Sequence, residues 1–134
     1  MTDDPGDDEP HTGGPDLPTP FDEATLRAVA AATGVDAATL RRLVGAHQAS
    51  LRRHASVAGW VYEVRRAYPR DALLARRPEA FYLAVEPTVW PEFESVIGAT
   101  GDELAALREL HGRVLRSVID APDDDREPMV VVRE

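Results

Sequence analysis

The side chains able to do chemistry in this chain are four histidines, several paired carboxylates and fifteen arginines. Cysteine is absent, which removes thiolate nucleophiles, thiolate metal sites and disulfides together. His47 and His54 are seven apart and share a helix face with Leu51 between them. A metal pair on a helix needs closer convergence, four residues apart, with a third ligand at hand. None is visible in the sequence. His111 sits in the apolar stripe of a helix, the place of a hydrogen-bonded core histidine. Glu92 with Glu94, and Asp102 with Glu103, fall in the first turns of helices, where the helix dipole accounts for them without catalysis. There is no glycine-rich phosphate loop, because Gly13-Gly14 lies in the N-terminal segment and Gly98 to Gly101 only separate two helices. These residues predict no catalytic constellation, no cofactor and no metal site.

The arginines are more informative than the acids. Between Asp36 and Arg77 stand nine Arg and only three acids, a stretch of +6 inside a chain of −9. The residues before it sum to −7 and those after it to −8. Arginine pairs recur at 41/42, 52/53, 65/66 and 76/77. Arg41 and Arg52 are eleven apart, about three helical turns, so the first two pairs share a face. The next step, of thirteen, turns the third pair away. Arg41, Arg42, Arg52 and Arg53 are therefore the candidate residues for binding a partner or a nucleic acid, against a solvated face paired to acids of neighbouring helices.

Those residues belong to what reads as a helix-turn-helix. Val29 to Val35, followed by Leu40 and Leu43, place a small residue at the crossing, Gly34 in the turn and apolar anchors beyond it. In that reading Arg41 and Arg42 point outward, where phosphates or guanine edges are met. Against it, any two helices joined by a tight glycine turn share the pattern. Asp36, Ala37 and Ala38 would also lead the recognition helix with almost no capacity to bond bases.

The elements that must position these residues follow from spacing. Met1 to Pro18 mixes Asp, Gly and Pro and is expected to stay disordered. Thr19 suits a helix cap ahead of Pro20, with Asp22 and Glu23 in the first turn and Gly34 as the stop. Asp36 caps a second helix whose apolar positions run on towards Tyr68, as one helix or as two bent near Ser56 to Gly59. Ala72 to Ala75 and Phe81 to Val85 form a hairpin, and a short helix runs from about Trp90 to Ile97. Thr100 and Glu103 make a capping box for a last helix carrying Leu104, Leu107, His111, Val114, Leu115 and Val118 on one face. The tail from 121 to 134 is acidic, and its segment 129–133 is either an edge strand on the hairpin or an exposed docking segment. The expected architecture is α+β and mainly α: four to five helices with an N-terminal helix-turn-helix-like pair and one small β-hairpin, in a single globular domain over 19–120.

Composition suggests the environment. Every cation is Arg, and acids outnumber bases 24 to 15. This acidic, lysine-free balance fits a cytoplasm of molar salt, where the Debye length falls to about 3 Å and net charge says little about partners. No apolar run approaches the roughly 20 residues that span a bilayer. The N-terminal segment is acidic where a secretory signal is basic and then apolar. A cytoplasmic location without a membrane partner is expected.

Leu26 to Ala30, the strand Phe81-Tyr82-Leu83-Ala84-Val85, Trp90, Leu107 and His111 resemble a family of small uncharacterised haloarchaeal proteins known only as a domain of unknown function. The likeness covers Leu26–Leu43 and Phe81–Arg116. It implies a halophilic origin and lends no activity. The sequence thus points to a non-enzymatic protein-interaction module with a basic central helix as docking surface, its partner a protein or a second copy in a homodimer. The alternative is a small helix-turn-helix DNA-binding transcriptional regulator.

Overall fold

Short polar side chains decide where the helices begin. The structure, a computed structural model, describes residues 17–53 and 56–133. Helix α1 (Glu23–Thr33) is capped by Asp22, whose carboxylate accepts from the Thr25 N–H at 2.8 Å. The expected cap, Thr19, lies instead in a turn closed by the Phe21 N–H on the Pro18 carbonyl, which delivers Phe21 to the core before the helix starts. Gly34 ends α1 at φ 79°, a left-handed conformation that glycine adopts without a Cβ penalty. Asp36 then caps α2 (Ala37–Arg52) through the Ala38 and Thr39 amides. The long apolar pattern resolves into two helices: Ser56 caps α3 (Val57–Ala67), its hydroxyl accepting from the Gly59 N–H at 2.9 Å.

Strand β1 (Leu73–Arg76) pairs antiparallel with β2 (Ala80–Val85), as the hairpin reading expects. One turn of 3-10 helix (Trp90–Glu92) runs into α4 (Phe93–Ile97), with Pro91 in a first turn where no amide is needed. Helix α5 (Gly101–Arg116) opens on the capping box, Thr100 Oγ1 accepting from the Glu103 N–H while Glu103 accepts from the Thr100 N–H. Thr100→Ala is expected to cost about 1 kcal/mol of stability, read as a shift of the denaturation midpoint at unchanged slope. The helix ends at Arg116, so Val118, expected on its apolar face, lies beyond it and is exposed.

The C-terminal segment makes β3 (Glu127–Val132), antiparallel to β2 with Ala80 opposite Val132 and Val85 opposite Glu127. The sheet order is β1-β2-β3, and Met129 to Val132 are all buried. Of the two readings open for this segment, the edge strand is the one formed, and it completes the core rather than trailing from it. Leu17 likewise packs against the core. The rest of the expected disordered tail, residues 1–16, lies outside the described residues.

Helix α2 is the hub. It buries Leu40, Leu43, Val44, His47, Gln48 and Leu51, and it packs against α1, α3, α4, α5 and β3. Helix α5 lies along β3, and Gly112 sets how near it comes. A Cβ there would stand 3.2 Å from Pro128 Cγ and 3.0 Å from Arg116 Nη1. Mainly helical, with a three-stranded antiparallel sheet, the chain is α+β.

Candidate docking groove

The four arginines singled out in the sequence differ in exposure. Arg41 Nη2 donates to Glu23 Oε2 at 2.6 Å, tying α2 to α1, and its side chain is only 18% exposed. Glu23 also holds Arg27 at 2.8 Å, and these guanidiniums, Arg41 first, keep its carboxyl below the usual range. Arg42, Arg52 and Arg53 are exposed. Leu40 and Leu43 are fully buried and Arg41 is bound to Glu23, so of the four arginines Arg42, Arg52 and Arg53 are those on the outer surface.

The histidines are gathered differently from the sequence expectation. His54 lies outside the described residues. His47 meets His111 of α5 across the core, ring centroids 5.1 Å apart, and both are completely buried. His47 stacks on Trp90 at 4.8 Å and meets Phe93 edge-on, while His111 meets Trp90 and Phe21 edge-on. Desolvation pushes the pKa of His47 down to about 3. The same desolvation, helped by the neighbouring His47, takes His111 well below its ordinary value. Both rings are therefore neutral.

These side chains finish the edge of the sheet. Along β3 the residues Pro128, Val130 and Val132 turn their backbone polar groups away from β2. The Trp90 Nε1–H donates to the Pro128 carbonyl at 3.0 Å, and Pro128 has no N–H to satisfy. The Val130 N–H donates to His111 Nδ1 at 2.9 Å. Gln48 behaves like a strand residue on a side chain, its Nε2 donating to the Val130 carbonyl and its Oε1 accepting from the Val132 N–H, each at 2.9 Å. An edge strand left open is a template for unwanted pairing. Here four groups from α2, α5 and the 3-10 turn close it. Because Nδ1 of His111 accepts, its proton is on Nε2. That atom and Nε2 of His47 have no hydrogen-bond partner among the described residues. Sealed from solvent, the cluster is architectural. Among the described residues, no group of three or more His, Asp or Glu gathers to hold a metal ion.

The surface feature with binding chemistry lies on the opposite side of α3. Between α3 and the sheet runs a groove of about 310 Å³, lined by Val61, Tyr62, Arg65, Arg76, Phe81 and Arg133. It joins a depression of about 400 Å³ around Arg66 and Pro69, and one of about 190 Å³ at Ser56 and Val57. Tyr62 is 59% exposed, large for an aromatic that no packing requires. Arg133 lies over the Phe81 ring at 4.9 Å and Arg76 over the same ring at 5.9 Å. Arg66 lies over Tyr62 at 5.5 Å. These rings attract the guanidiniums by cation–π interaction.

The groove's charges are unequally matched. Asp71, the one acid in the lining among the described residues, is engaged by Arg65 through two bonds of 2.8 and 2.9 Å, which lower its pKa. Arg66 has only a 4.0 Å contact with Glu63. Arg76 and Arg133 have no carboxylate partner among the described residues; Arg133 donates instead to the Arg77 carbonyl at 3.1 Å. Elsewhere several arginines are paired, Arg70 with Glu86 and Asp125, Arg126 with Asp124, Arg113 with Glu109 and Arg108 with Glu127, while Arg42, Arg52, Arg53, Arg77 and Arg116 show no ion pair among the described residues. What sets Arg76 and Arg133 apart is that both guanidiniums lie over one ring, Phe81, in a chain with nine more acids than bases.

The sequence signalled part of this groove in the pairs 65/66 and 76/77, but not Arg133. The β2–β3 register brings Arg133 there, its N–H bonded to the Glu79 carbonyl just before Phe81. No helix among the described residues is long and apolar enough to cross a membrane. No curated protein and no solved structure matches the chain. A family model does match, over residues 19–133, a span that takes in α1, the sheet with β3, and Arg133 of the groove. The chain belongs to the family described as Domain of unknown function (DUF8048).

Proposed function

We propose that the protein is a non-enzymatic interaction module of a halophilic cytoplasm whose groove between α3 and the sheet docks an acidic segment of a partner protein. The observation that carries this reading is the pair Arg76 and Arg133, which lie over Phe81 with no carboxylate partner among the described residues. Arg65 and Arg66 continue the cationic lining, and exposed Tyr62 supplies the flat apolar contact that interfaces favour. The docking surface is thus on α3 and the sheet rather than on α2. Stacked guanidiniums suit carboxylates bound bidentately at contact distance, and contact-range bonds are what persist where the Debye length is about 3 Å.

The lysine-free, acidic composition supports the halophilic setting, and the full burial of His47 and His111 fits a structural role for that pair. The test is fluorescence anisotropy of a labelled decaglutamate peptide against the full chain. The Arg76→Gln, Arg133→Gln variant is expected to weaken binding roughly 5- to 30-fold, as two rim contacts of about 0.5–1 kcal/mol each imply. A DNA duplex at the same ionic strength is expected to bind no better than the peptide. Tight duplex binding that survives the double substitution would sink the reading.

A further inference from the structure

The two edges of the sheet are finished differently. Along β3 the outward groups of Pro128, Val130 and Val132 are taken by Trp90, His111 and Gln48. Strand β1 has no such cover. Its ladder with β2 places Ala75 opposite Tyr82 and Arg76 opposite Phe81, and the Arg77 N–H bonds the Ala80 carbonyl. Bonded and non-bonded pairs alternate along an antiparallel ladder, so 77/80 and 75/82 exchange bonds and 76/81 does not. The Arg76 N–H and carbonyl therefore point away from β2, and no group among the described residues bonds either of them. The Leu73 N–H, nearer the start of the strand, is already held by Asp71 Oδ1 at 3.1 Å. Leu74 and Ala75 are half-buried and Arg76 is exposed, so this edge is within reach of another chain.

We propose that an extended segment of a partner protein adds to β1 as a fourth strand, with an acidic residue opposite Arg76. This mode of docking rests on the groove being a site for acidic chain, as proposed above, and states how the backbone of that chain is held. The unpaired backbone groups fix the place, and the side chain beside them fixes the chemistry. Extended peptides add to open sheet edges through main-chain bonds and are selected by every second side chain. A residue that exchanges bonds with Arg76 has its side chain on the same face as Arg76. That face carries Phe81 with Arg133 over its ring, so a carboxylate there lies beside two guanidiniums. The same edge is ill suited to a second copy of this chain. Arg76, with Arg77 next to it, charges a strand of four residues, and short, charged edge strands resist pairing with themselves. An acid-bearing strand turns that repulsion into attraction.

The experiment titrates labelled octapeptides of alternating Glu and Thr into the full chain, read by fluorescence anisotropy. One version carries backbone N-methyl groups on its Glu residues, a second carries them on its Thr residues, and a third has Gln in place of Glu. The two methylated peptides have the same length, charge and composition. Methylation at Glu is expected to weaken binding roughly 5- to 30-fold, because it removes the bond to the Arg76 carbonyl and blocks the approach of the strand. Methylation at Thr, whose N–H groups face away from β1, should leave the affinity within about 2-fold. The Gln peptide should bind more weakly than the Glu peptide, and the Arg76 amide should exchange more slowly when the Glu peptide is bound. Equal affinity for the parent and both methylated peptides overturns strand addition and leaves the groove standing as a docking site. Equal losses in the two methylated peptides, or the greater loss at Thr, overturn it as well. A Gln peptide that binds as tightly as the Glu peptide overturns the acidic partner. No binding of any peptide removes the groove reading and strand addition together. Light scattering covers the remaining occupant: a dimer that Arg76→Pro returns to a monomer assigns the edge to a second copy and overturns the proposal. Proline suits that position because the N–H it removes lies outside the ladder.

Discussion

Gln48→Leu is expected to destabilise the domain by roughly 2–6 kcal/mol, because it strands two buried backbone groups at about 1–3 kcal/mol each. The leucine fills nearly the same space, so the loss reports hydrogen bonding rather than a cavity. The Val130 carbonyl loses the Nε2 donor and the Val132 N–H loses the Oε1 acceptor, and neither residue is accessible to more than a trace of water. Against a total stability of about 5–15 kcal/mol for an ordinary domain, this is enough to put a sizeable fraction of molecules near unfolding. Equilibrium denaturation checks the magnitude, and hydrogen exchange checks the mechanism. The Val132 amide should lose protection first, while the Arg133 amide, bonded to the Glu79 carbonyl across the β2 side, should fall only with the whole domain. A loss below about 1 kcal/mol would show that the edge groups find other partners and that Gln48 is not what closes the strand.

Features set by neighbours in the chain were legible in the sequence. Asp36, Gly34, Thr100 and Glu103 act locally, and their roles as caps and stops follow from residue type and spacing alone. The hairpin and the apolar stripe of α5 follow from periods of two and of about 3.6 residues. Thr19 misled for a local reason too, since Asp22, three residues on, has the carboxylate that reaches an amide of the first turn. What could not be read depends on pairings far apart in the chain. Gln48 finds Val130 and Val132 across 82 and 84 residues, and His47 finds His111 from another helix. A glutamine in a helix face carries no mark that it will stand in for a strand. The arginines repeat the lesson. Arg41 looked outward by helical spacing, yet Glu23 of the preceding helix captures it. Arg76 and Arg133 are fifty-seven positions apart and meet over Phe81 only because the sheet register places them there.

Acid is expected to unfold this protein well before its carboxylates are fully protonated, and His47 is the reason. Its pKa falls from 6.5 in the unfolded chain to about 3 in the core, with desolvation as the cause. The folded state thus refuses a proton that the unfolded state accepts. For a base whose folded pKa is depressed, the stabilisation is complete above about pH 6.5 and drains away as the pH falls towards 3. One such group costs up to about 1.4 kcal/mol per pH unit, and roughly 5 kcal/mol across the whole window. His111 moves in the same direction, and protonation there would in addition remove the acceptor of the Val130 N–H, loosening the strand that Gln48 also holds. The groups facing the two rings are Phe21, Trp90, Phe93, the Gln48 amide and the Val130 N–H, with no carboxylate among the described residues to favour the charged form. The depressed carboxyls, Glu23, Asp71 and Asp124, add their own losses only at lower pH, as each is protonated below the ordinary carboxylate range. Stability measured by urea denaturation at successive pH values should therefore fall between pH 6.5 and 4.5 with a slope approaching that of two titrating groups. His47→Phe keeps a ring against Trp90 and removes one titration, so its slope in that window should be about half as steep. An unchanged slope would mean that His47 takes up its proton inside the folded domain, and the sealed core drawn around it would have to be abandoned.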